Sequence, residues 1–332
     1  MIPFADTSYT EATWVMIVKS IVIFAVIFGI VPVLTVVERK LIGRFQQRYG
    51  PNRVGPYGLM QPLADVGKLL GKRAFTPEAA VPLLYVIGPV LPVLSGVLAL
   101  AIIPFGDVQD GVGLYGIDVS IGILYFFAAG SLAFYGLLLG GWASGSRYSF
   151  LGAMRSAAQL ISYEVSMGLA LLGVIMMAGS LSLVDIVHAQ GEVWYIVPQL
   201  AGFLIFLVAG FAESNRTPFD LPEADAELVQ GFMTEYGGMR FGTFLLVEYI
   251  EIMVVSGITA AMFLGGWMGP GPSWLDPIWM LAKMLSLVVF FIWVRATVPR
   301  LRYDQLMSLG WKVLLPLATL NVLVTAVLVV VT

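Results

Sequence analysis

The sequence has no cysteine, one histidine and few charged residues. Without cysteine the chain can form no disulfide and offers no thiolate ligand to zinc or an iron–sulfur cluster. The single histidine, His188, leaves almost nothing for a haem or copper site. The chain also has no Walker loop, so nucleotide binding of that kind is unsupported. If this chain takes part in redox chemistry, its partners must supply the electrons.

The sequence is strongly apolar. Hydrophobic residues make up 59% of it and charged residues only 12%, whereas soluble domains carry about 25% charged residues. Eight apolar runs are long enough to cross a bilayer, which takes about 20 residues each. We therefore expect an all-α polytopic membrane protein, a single integral membrane domain with eight transmembrane helices. The predicted spans are 14–37, 79–103, 117–142, 159–181, 196–212, 241–268, 277–298 and 313–331, of which 196–212 is the shortest.

The cations lie almost entirely on one side of the predicted membrane domain. Of the 18 lysine and arginine residues, all but Lys19 and Lys283 lie in, or at the edge of, four connections: 38–78, 143–158, 213–240 and 299–312. This bias places the four loops in the cytoplasm and both termini on the non-cytoplasmic side. The first apolar run is too long for a cleavable signal, and its positive charges follow the run, so we expect it to remain as a span.

The first cytoplasmic connection contains a predicted amphipathic helix. Four apolar residues recur at the spacing of one helix face: Leu59, Leu63, Val66 and Leu70. This pattern predicts a helix that lies in the headgroup plane of the membrane. The alternative is a helix that faces the core of a small cytoplasmic cap.

The third cytoplasmic connection is rich in acids. It contains "RTPFDLPEADAELVQGFMTEY", in which Asp220 and Glu223 fit a capping box. We therefore expect a short helix that runs to about Met233 and ends before Gly237 and Gly238.

Other acids lie inside predicted spans. Glu248 and Glu251 are about 10 and 15 Å into the sixth span, at about 1.5 Å per residue, and Glu164 is early in the fourth. A carboxylate at the bilayer centre costs about 2.5–3.5 kcal/mol, so these side chains must face protein or water. Crowded carboxylates titrate as a coupled group and can store and relay protons. The alternative is structural pairing, as with Lys283, which either pairs with an acid across a helix seam or has a functional role.

Four long cytoplasmic stretches resemble one family in order along the chain. They are "ERKLIGRFQQRYGPNRVGPYGLMQPLADVGKLL", "GWASGSRYSFLGAMRSAAQLISYEV", "AESNRTPFDLPEADAELVQGFMTEYGGMRF" and "RATVPRLRYDQLMSLGWKVLLPL". With them the chain resembles subunit 1, or H, of the proton-pumping NADH:quinone oxidoreductases, respiratory complex I. The resemblance covers nearly the whole chain.

The resemblance implies a membrane subunit at the junction between a redox arm and a pumping arm, in a bacterial plasma (inner) membrane. Such a subunit is part of a translocase and not catalytic alone. Its substrate is a quinone, and it binds no cofactor, because partner subunits hold the iron–sulfur clusters and flavin. The implied partners are the soluble quinone-site subunits, the antiporter-like membrane subunits and the lipid bilayer, and no nucleic acid.

The resemblance also assigns residues to two groups. The implied proton path comprises the acids Glu164, Glu213, Glu223, Asp225, Glu227, Glu235 and Glu248. The implied quinone chamber and entrance comprise Glu38, Arg39, Arg48, Asp65, Arg216 and Arg295. Asp225 stands where the family commonly has glutamate. Glu251 has no secure counterpart, and we add it to the proton path on its depth alone.

Two other functions fit parts of this pattern. A membrane subunit of a hydrogenase or ferredoxin-driven complex would share the fold and the acids without necessarily reducing quinone. The agreement through "GPNRVGPYGLMQP" favours the quinone enzyme. A stand-alone proton-linked transporter could also use buried carboxylates, but the sequence lacks the repeated halves typical of such folds.

Overall fold

The computed structural model describes residues 13–109, 112–221 and 228–331. This part of the chain is helical apart from a two-residue hairpin, Val108–Gln109 with Val112–Gly113, and so confirms the predicted all-α membrane class. The helices are α1 Thr13–Phe45, α2 Gln61–Gly71, α3 Pro82–Ala101, α4 Gly122–Ala143, α5 Arg147–Ala178, α6 Leu183–Ala189, α7 Leu200–Glu213, α8 Gly238–Phe263, α9 Asp276–Thr297, α10 Tyr303–Leu309 and α11 Leu315–Val331. A π-helical turn, Gly310–Leu314, joins α10 to α11.

Seven helical segments of the described chain are long and apolar enough to cross a membrane: α1, α3, α4, α5, α8, α9 and the joined α10–α11. The eighth predicted span corresponds to α7, an apolar helix of 14 residues. At about 1.5 Å per residue it is about 21 Å long, shorter than a bilayer core of about 30 Å. The turn residues Tyr195 and Gln199 before it are buried. Irregular backbone at this depth is tolerated when protein surrounds it.

Two helices extend beyond the predicted spans on the cytoplasmic side. α1 continues to Phe45, and α5 begins at Arg147, inside the second predicted loop. The added turns of α5 contain the buried serines Ser149 and Ser156. Polar residues that face other parts of the protein do not end a helix, so hydropathy underestimates the length of such helices.

The helix predicted for the acidic connection is wrong over its described end. Residues 222–227, with Glu223, Asp225 and Glu227, lie outside the described residues. Beyond them Val229 has a left-handed backbone (φ 67°), and only a 3₁₀ turn follows, Gly231–Met233. A left-handed valine interrupts a helix, and this break allows Leu228 and Phe232 to be buried while Val229 is exposed.

A second apolar core attaches the end of this connection to the helices. The rings of Tyr85 on α3 and Tyr236 stack with centroids 4.3 Å apart. The Tyr85 hydroxyl donates to the carbonyl of Glu235 at 2.6 Å. The Tyr236 hydroxyl donates to the carbonyls of Tyr85 and Gly140, at 3.2 and 3.1 Å. The connection is therefore held against α3 and α4 by backbone-directed hydrogen bonds.

The structure decides between the two interpretations of the first connection. α2 forms where the amphipathic pattern predicts it. Its apolar stripe is not packed into a core, because Leu59, Leu63 and Leu70 are each more than half exposed. A different face of α2, with Pro62, Asp65 and Leu69, lines a cavity. The exposed stripe excludes the core-facing alternative and fits an interfacial helix.

Candidate functional site

A cavity of about 280 Å³ lies where α1, α2 and α8 meet. Its apolar wall includes Val31 and Leu246, and its polar wall includes the predicted residues Arg39, Asp65, Arg216, Glu248 and Arg295. The cavity therefore joins residues from four helices and from the acidic connection at one place. Such a mostly apolar pocket with a few convergent polar groups is typical of a small-molecule site.

Four charged side chains form a buried ion network beside the cavity. Arg216 Nη1 donates to Glu38 Oε1 at 3.0 Å, and Arg295 Nη1 donates to the same oxygen. Arg216 Nε lies 3.1 Å from Glu248 Oε2, as an ion pair rather than an aligned hydrogen bond. The side chains of Arg216, Glu38 and Glu248 are 6, 5 and 13% exposed. Two acids and two bases balance each other, which is how a buried charge becomes tolerable.

Arg216 is the centre of this network. Its guanidinium carbon lies 4.4 Å from the centroid of the Tyr249 ring, a cation–π contact. Burial lowers the pKa of Arg216, but the carboxylates of Glu248 and Glu38 outweigh it, so the net pKa is above its ordinary value. The residue therefore stays protonated. Its position is set by the chain after α7, where Asn215 has a left-handed backbone (φ 48°).

Gln159 of α5 fixes that turn. Its Nε2 donates to the carbonyls of Ala212 and Phe219, at 2.8 and 2.9 Å, and so joins the end of α7 to the residues after Arg216. Sequence analysis missed both Gln159 and Tyr249. The only signals were a buried-type amide at the start of an apolar span and an aromatic residue beside Glu248.

A second, more exposed ion pair lies at the rim of the cavity. Arg39 Nη1 is 2.8 Å from Asp65 Oδ2, with side chains 52 and 26% exposed. Gln61 donates to the other carboxylate oxygen at 3.0 Å. Partial burial raises the pKa of Asp65, but the hydrogen bond from Gln61 and the charge of Arg39 lower it more, so the net pKa is below its ordinary value of 3.8. The pair joins α1 to α2.

Arg48, the remaining predicted chamber residue, lies at a neighbouring cavity of about 420 Å³ that it shares with Arg39 and Tyr49. Its Nε donates to Gln46 at 2.8 Å.

The acids of the predicted proton path divide into two described groups. Glu248 belongs to the ion network. Glu251, one helical turn farther along α8, lies within electrostatic range of both Arg216 and Glu213, and Glu213 lies within range of Glu164. Four acids therefore follow one another from the cavity into the membrane domain. Glu235 is placed apart from this series, beside Tyr85.

Glu213 and Glu251 have no salt-bridge partner in the described part of the chain. The Oε2 atom of Glu213 is buried and has no hydrogen-bond partner among the described residues. A Cβ at Gly130 of α4 would lie 3.7 Å from the other Glu213 oxygen. The acid thus lies against helix backbone where glycine leaves room for it.

The fold and the site together define a class: a polytopic helical membrane protein with an interfacial helix, a cavity beside a buried ion network, and a series of acids leading away from it. Comparison with known proteins identifies the family. The family model described as NADH dehydrogenase matches residues 18–326. The chain is 52% identical over 312 residues to NADH-quinone oxidoreductase H subunit 1 of Geobacter metallireducens, covering 92% of this chain and 94% of that protein.

Two further relatives agree. The H subunit 2 of the same enzyme in Geobacter sulfurreducens is 52% identical over the same shares of both chains. The H subunit in Thermomicrobium roseum is 48% identical over 319 residues, covering 91% of this chain and 92% of that one. The chain belongs to the family of NADH-quinone oxidoreductase H subunits, as the four cytoplasmic stretches predicted. It is an integral membrane subunit of an oxidoreductase complex, with the other subunits of that complex as its partners.

Proposed function

We propose that this chain forms the quinone entrance path and chamber of its complex and couples quinone reduction to proton translocation through its carboxylates. The observation that carries the proposal is the continuity of the cavity, the ion network and the acids Glu248, Glu251, Glu213 and Glu164. The chain holds no redox centre of its own in this proposal. Iron–sulfur clusters and flavin belong to partner subunits, and quinone is the substrate.

The cavity supports quinone entry from the bilayer. Its apolar side suits an isoprenoid tail, and its polar side, with Arg216 and Arg295, suits the carbonyl oxygens of a quinone head. α2 separates the cavity from the exposed stripe of Leu63 and Leu70. A quinone that moves along the membrane surface would therefore reach the cavity beside an interfacial helix. We place the cavity on the cytoplasmic side of a bacterial plasma membrane, with both chain termini on the opposite side.

The charge balance supports the coupling step. Glu38 and Glu248 are matched by Arg216 and Arg295, so the network is neutral as it stands. Reduction of quinone to quinol takes up two electrons and two protons. Negative charge that develops on the quinone head competes with Glu248 for Arg216. Glu248 then gains a reason to accept a proton, and a proton vacancy or excess passes to Glu251 and on to Glu213 and Glu164.

Glu213→Gln and Glu251→Gln test this proposal in the purified complex. We expect both variants to lose proton pumping in proteoliposomes and most NADH:quinone turnover, while electron flow from NADH to an artificial acceptor stays intact. Glu192→Gln on the non-cytoplasmic side is the matched control, since it removes a carboxylate outside the series. Normal pumping and quinone turnover in both path variants would remove these acids from the mechanism.

The same preparation separates the quinone enzyme from its rivals. Co-purification of NADH-oxidising subunits supports the proposal, and co-purification of hydrogenase-type subunits would replace it. Proton-linked transport by the single chain in liposomes would instead make it a transporter. Glu227→Gln, in the segment outside the described residues, should behave like Glu213→Gln.

A further inference from the structure

Lys283 of α9 is a half-buried lysine inside a membrane-spanning helix. Its Nζ donates to three backbone carbonyls: Leu264 at 2.7 Å, Gly266 at 2.8 Å and Met268 at 2.7 Å. Three donated bonds use all three protons of an ammonium group. In the described part of the chain no carboxylate lies within ion-pair distance of it, so the acid partner considered from the sequence is not what holds this residue.

The three carbonyls belong to the turn that follows α8. Gly265 and Gly266 both have left-handed backbones, with φ 69° and 49°, and this allows the chain to curl so that its carbonyls converge. The last carbonyls of a helix carry partial negative charge and need donors. In an apolar environment an unsatisfied carbonyl is costly, so a cation from a neighbouring helix stabilises the turn.

Trp194 closes the fourth side of the ammonium group. Its ring centroid lies 4.4 Å from Lys283 Nζ, within cation–π range. A Cβ on Gly265 would lie 2.6 Å from Trp194 Nε1, so the ring and the turn are in close contact. Lys283 therefore sits in a cage of three carbonyls and one aromatic face that fits an ammonium ion and no larger group.

α9 carries a second polar attachment at its other end. Arg295 donates to Glu38 in the ion network beside the cavity. Lys283 and Arg295 are about 18 Å apart along the helix axis at about 1.5 Å per residue. Between them α9 buries apolar side chains, including Met284, Leu287 and Phe291. Apolar contacts tolerate sliding far better than three directed hydrogen bonds do.

We propose that Lys283 is a positioning residue: by fixing the height of α9 against the end of α8, it places Arg295 against Glu38 at the quinone cavity. The inference rests on the proposed function for the part played by the cavity. A shift of α9 by one helical turn would move Arg295 by about 5.4 Å, which is enough to break its contact with Glu38.

The test is a double-mutant cycle in the purified complex with Lys283→Met, Arg295→Met and both together. We expect Lys283→Met to raise the KM for a short-chain quinone about tenfold, the effect of losing roughly one charged hydrogen bond, with a smaller change in kcat. If Lys283 acts through Arg295, the double variant has the KM of Arg295→Met alone. Lys283→Arg keeps a cationic donor and should restore most of the affinity.

Lys19→Met is the matched control. Lys19 lies on α1 and donates to the carbonyl of Gly113 at 3.2 Å, so its removal also takes an intramembrane ammonium from the non-cytoplasmic half. Its KM should match that of the unmodified complex. An equal rise in KM for Lys19→Met, or strictly multiplicative effects of Lys283→Met and Arg295→Met, would overturn the inference.

Two further outcomes are distinct. An unchanged KM in Arg295→Met would contradict the proposed function of the cavity, whereas an unchanged KM in Lys283→Met alone would contradict only the positioning role. If Lys283→Met prevents assembly, Lys283→Gln replaces it, since an amide keeps two donors without the charge. Its KM should lie between those of Lys283→Arg and Arg295→Met, and a KM equal to that of the unmodified complex would overturn the role.

Discussion

The ion network around Arg216 makes a quantitative prediction about stability. Arg216→Gln removes the cation that Glu38 and Glu248 share, and these side chains are only 5 and 13% exposed. Arg295 still neutralises Glu38, so Glu248 is left as the uncompensated buried charge. Removing one partner of a buried ion pair costs about 3–5 kcal/mol. We expect a loss of stability in this range.

Arg39→Gln is the matched comparison, since Arg39 also pairs with an acid at the same cavity. Its side chain is 52% exposed, and a surface ion pair contributes only about 0–1 kcal/mol. Denaturant titration of the purified complex in lipid nanodiscs, followed by release of this chain, measures both losses. Arg216→Gln combined with Glu248→Gln should recover part of the stability, because both charges of one contact are then absent. Equal losses in Arg216→Gln and Arg39→Gln, or no recovery in the double variant, would refute the buried network.

Three smaller predictions follow from other contacts. Gly152→Ala places a Cβ 2.7 Å from Gly231 Cα and should cost about 1–3 kcal/mol in a thermal denaturation of the complex, whereas Gly168→Ala, with its nearest neighbour at 3.6 Å, should be near neutral. Leu63→Gln on the exposed stripe should weaken the attachment of α2 by about 1.5–3 kcal/mol, visible as faster proteolysis of the first connection in liposomes; an unchanged rate argues against membrane contact. Because the pKa of Asp65 is lowered, its carboxylate stays charged until the pH falls through that lowered value. Asp65→Asn should therefore scale quinone turnover by one factor between about pH 5.5 and pH 8, and a changed profile shape would contradict this.

Some features of the site could be predicted because the membrane leaves few alternatives. A carboxylate at the depth of Glu248 must face protein or water, and it does so against Arg216. Hydropathy and cation bias likewise predict the helices and their common cytoplasmic side. The pairing of Glu38 with two arginines required the resemblance, since Arg216 and Arg295 are far from Glu38 in sequence.

Other features depend on backbone geometry that the sequence does not reveal. Val229 is a poor candidate for a left-handed residue, yet the burial of Leu228 and Phe232 requires one there. Lys283 was expected to find a carboxylate or a functional role, but three carbonyls satisfy it just as well, and carbonyls leave no mark on a sequence. The short α7 differs for a third reason: a span can be completed by buried turns that hydropathy counts as part of a helix.

The two faces of α2 connect the cavity to the physical state of the bilayer. Asp65 and Leu69 face the cavity, whereas Leu63 and Leu70 face outward. Interfacial helices respond to curvature and to the spacing of lipid headgroups. A helix with one face in that layer transmits such changes to the width of the opening beside it. The access of a hydrophobic substrate is then regulated by membrane tension and lipid composition, without any ligand binding to the protein.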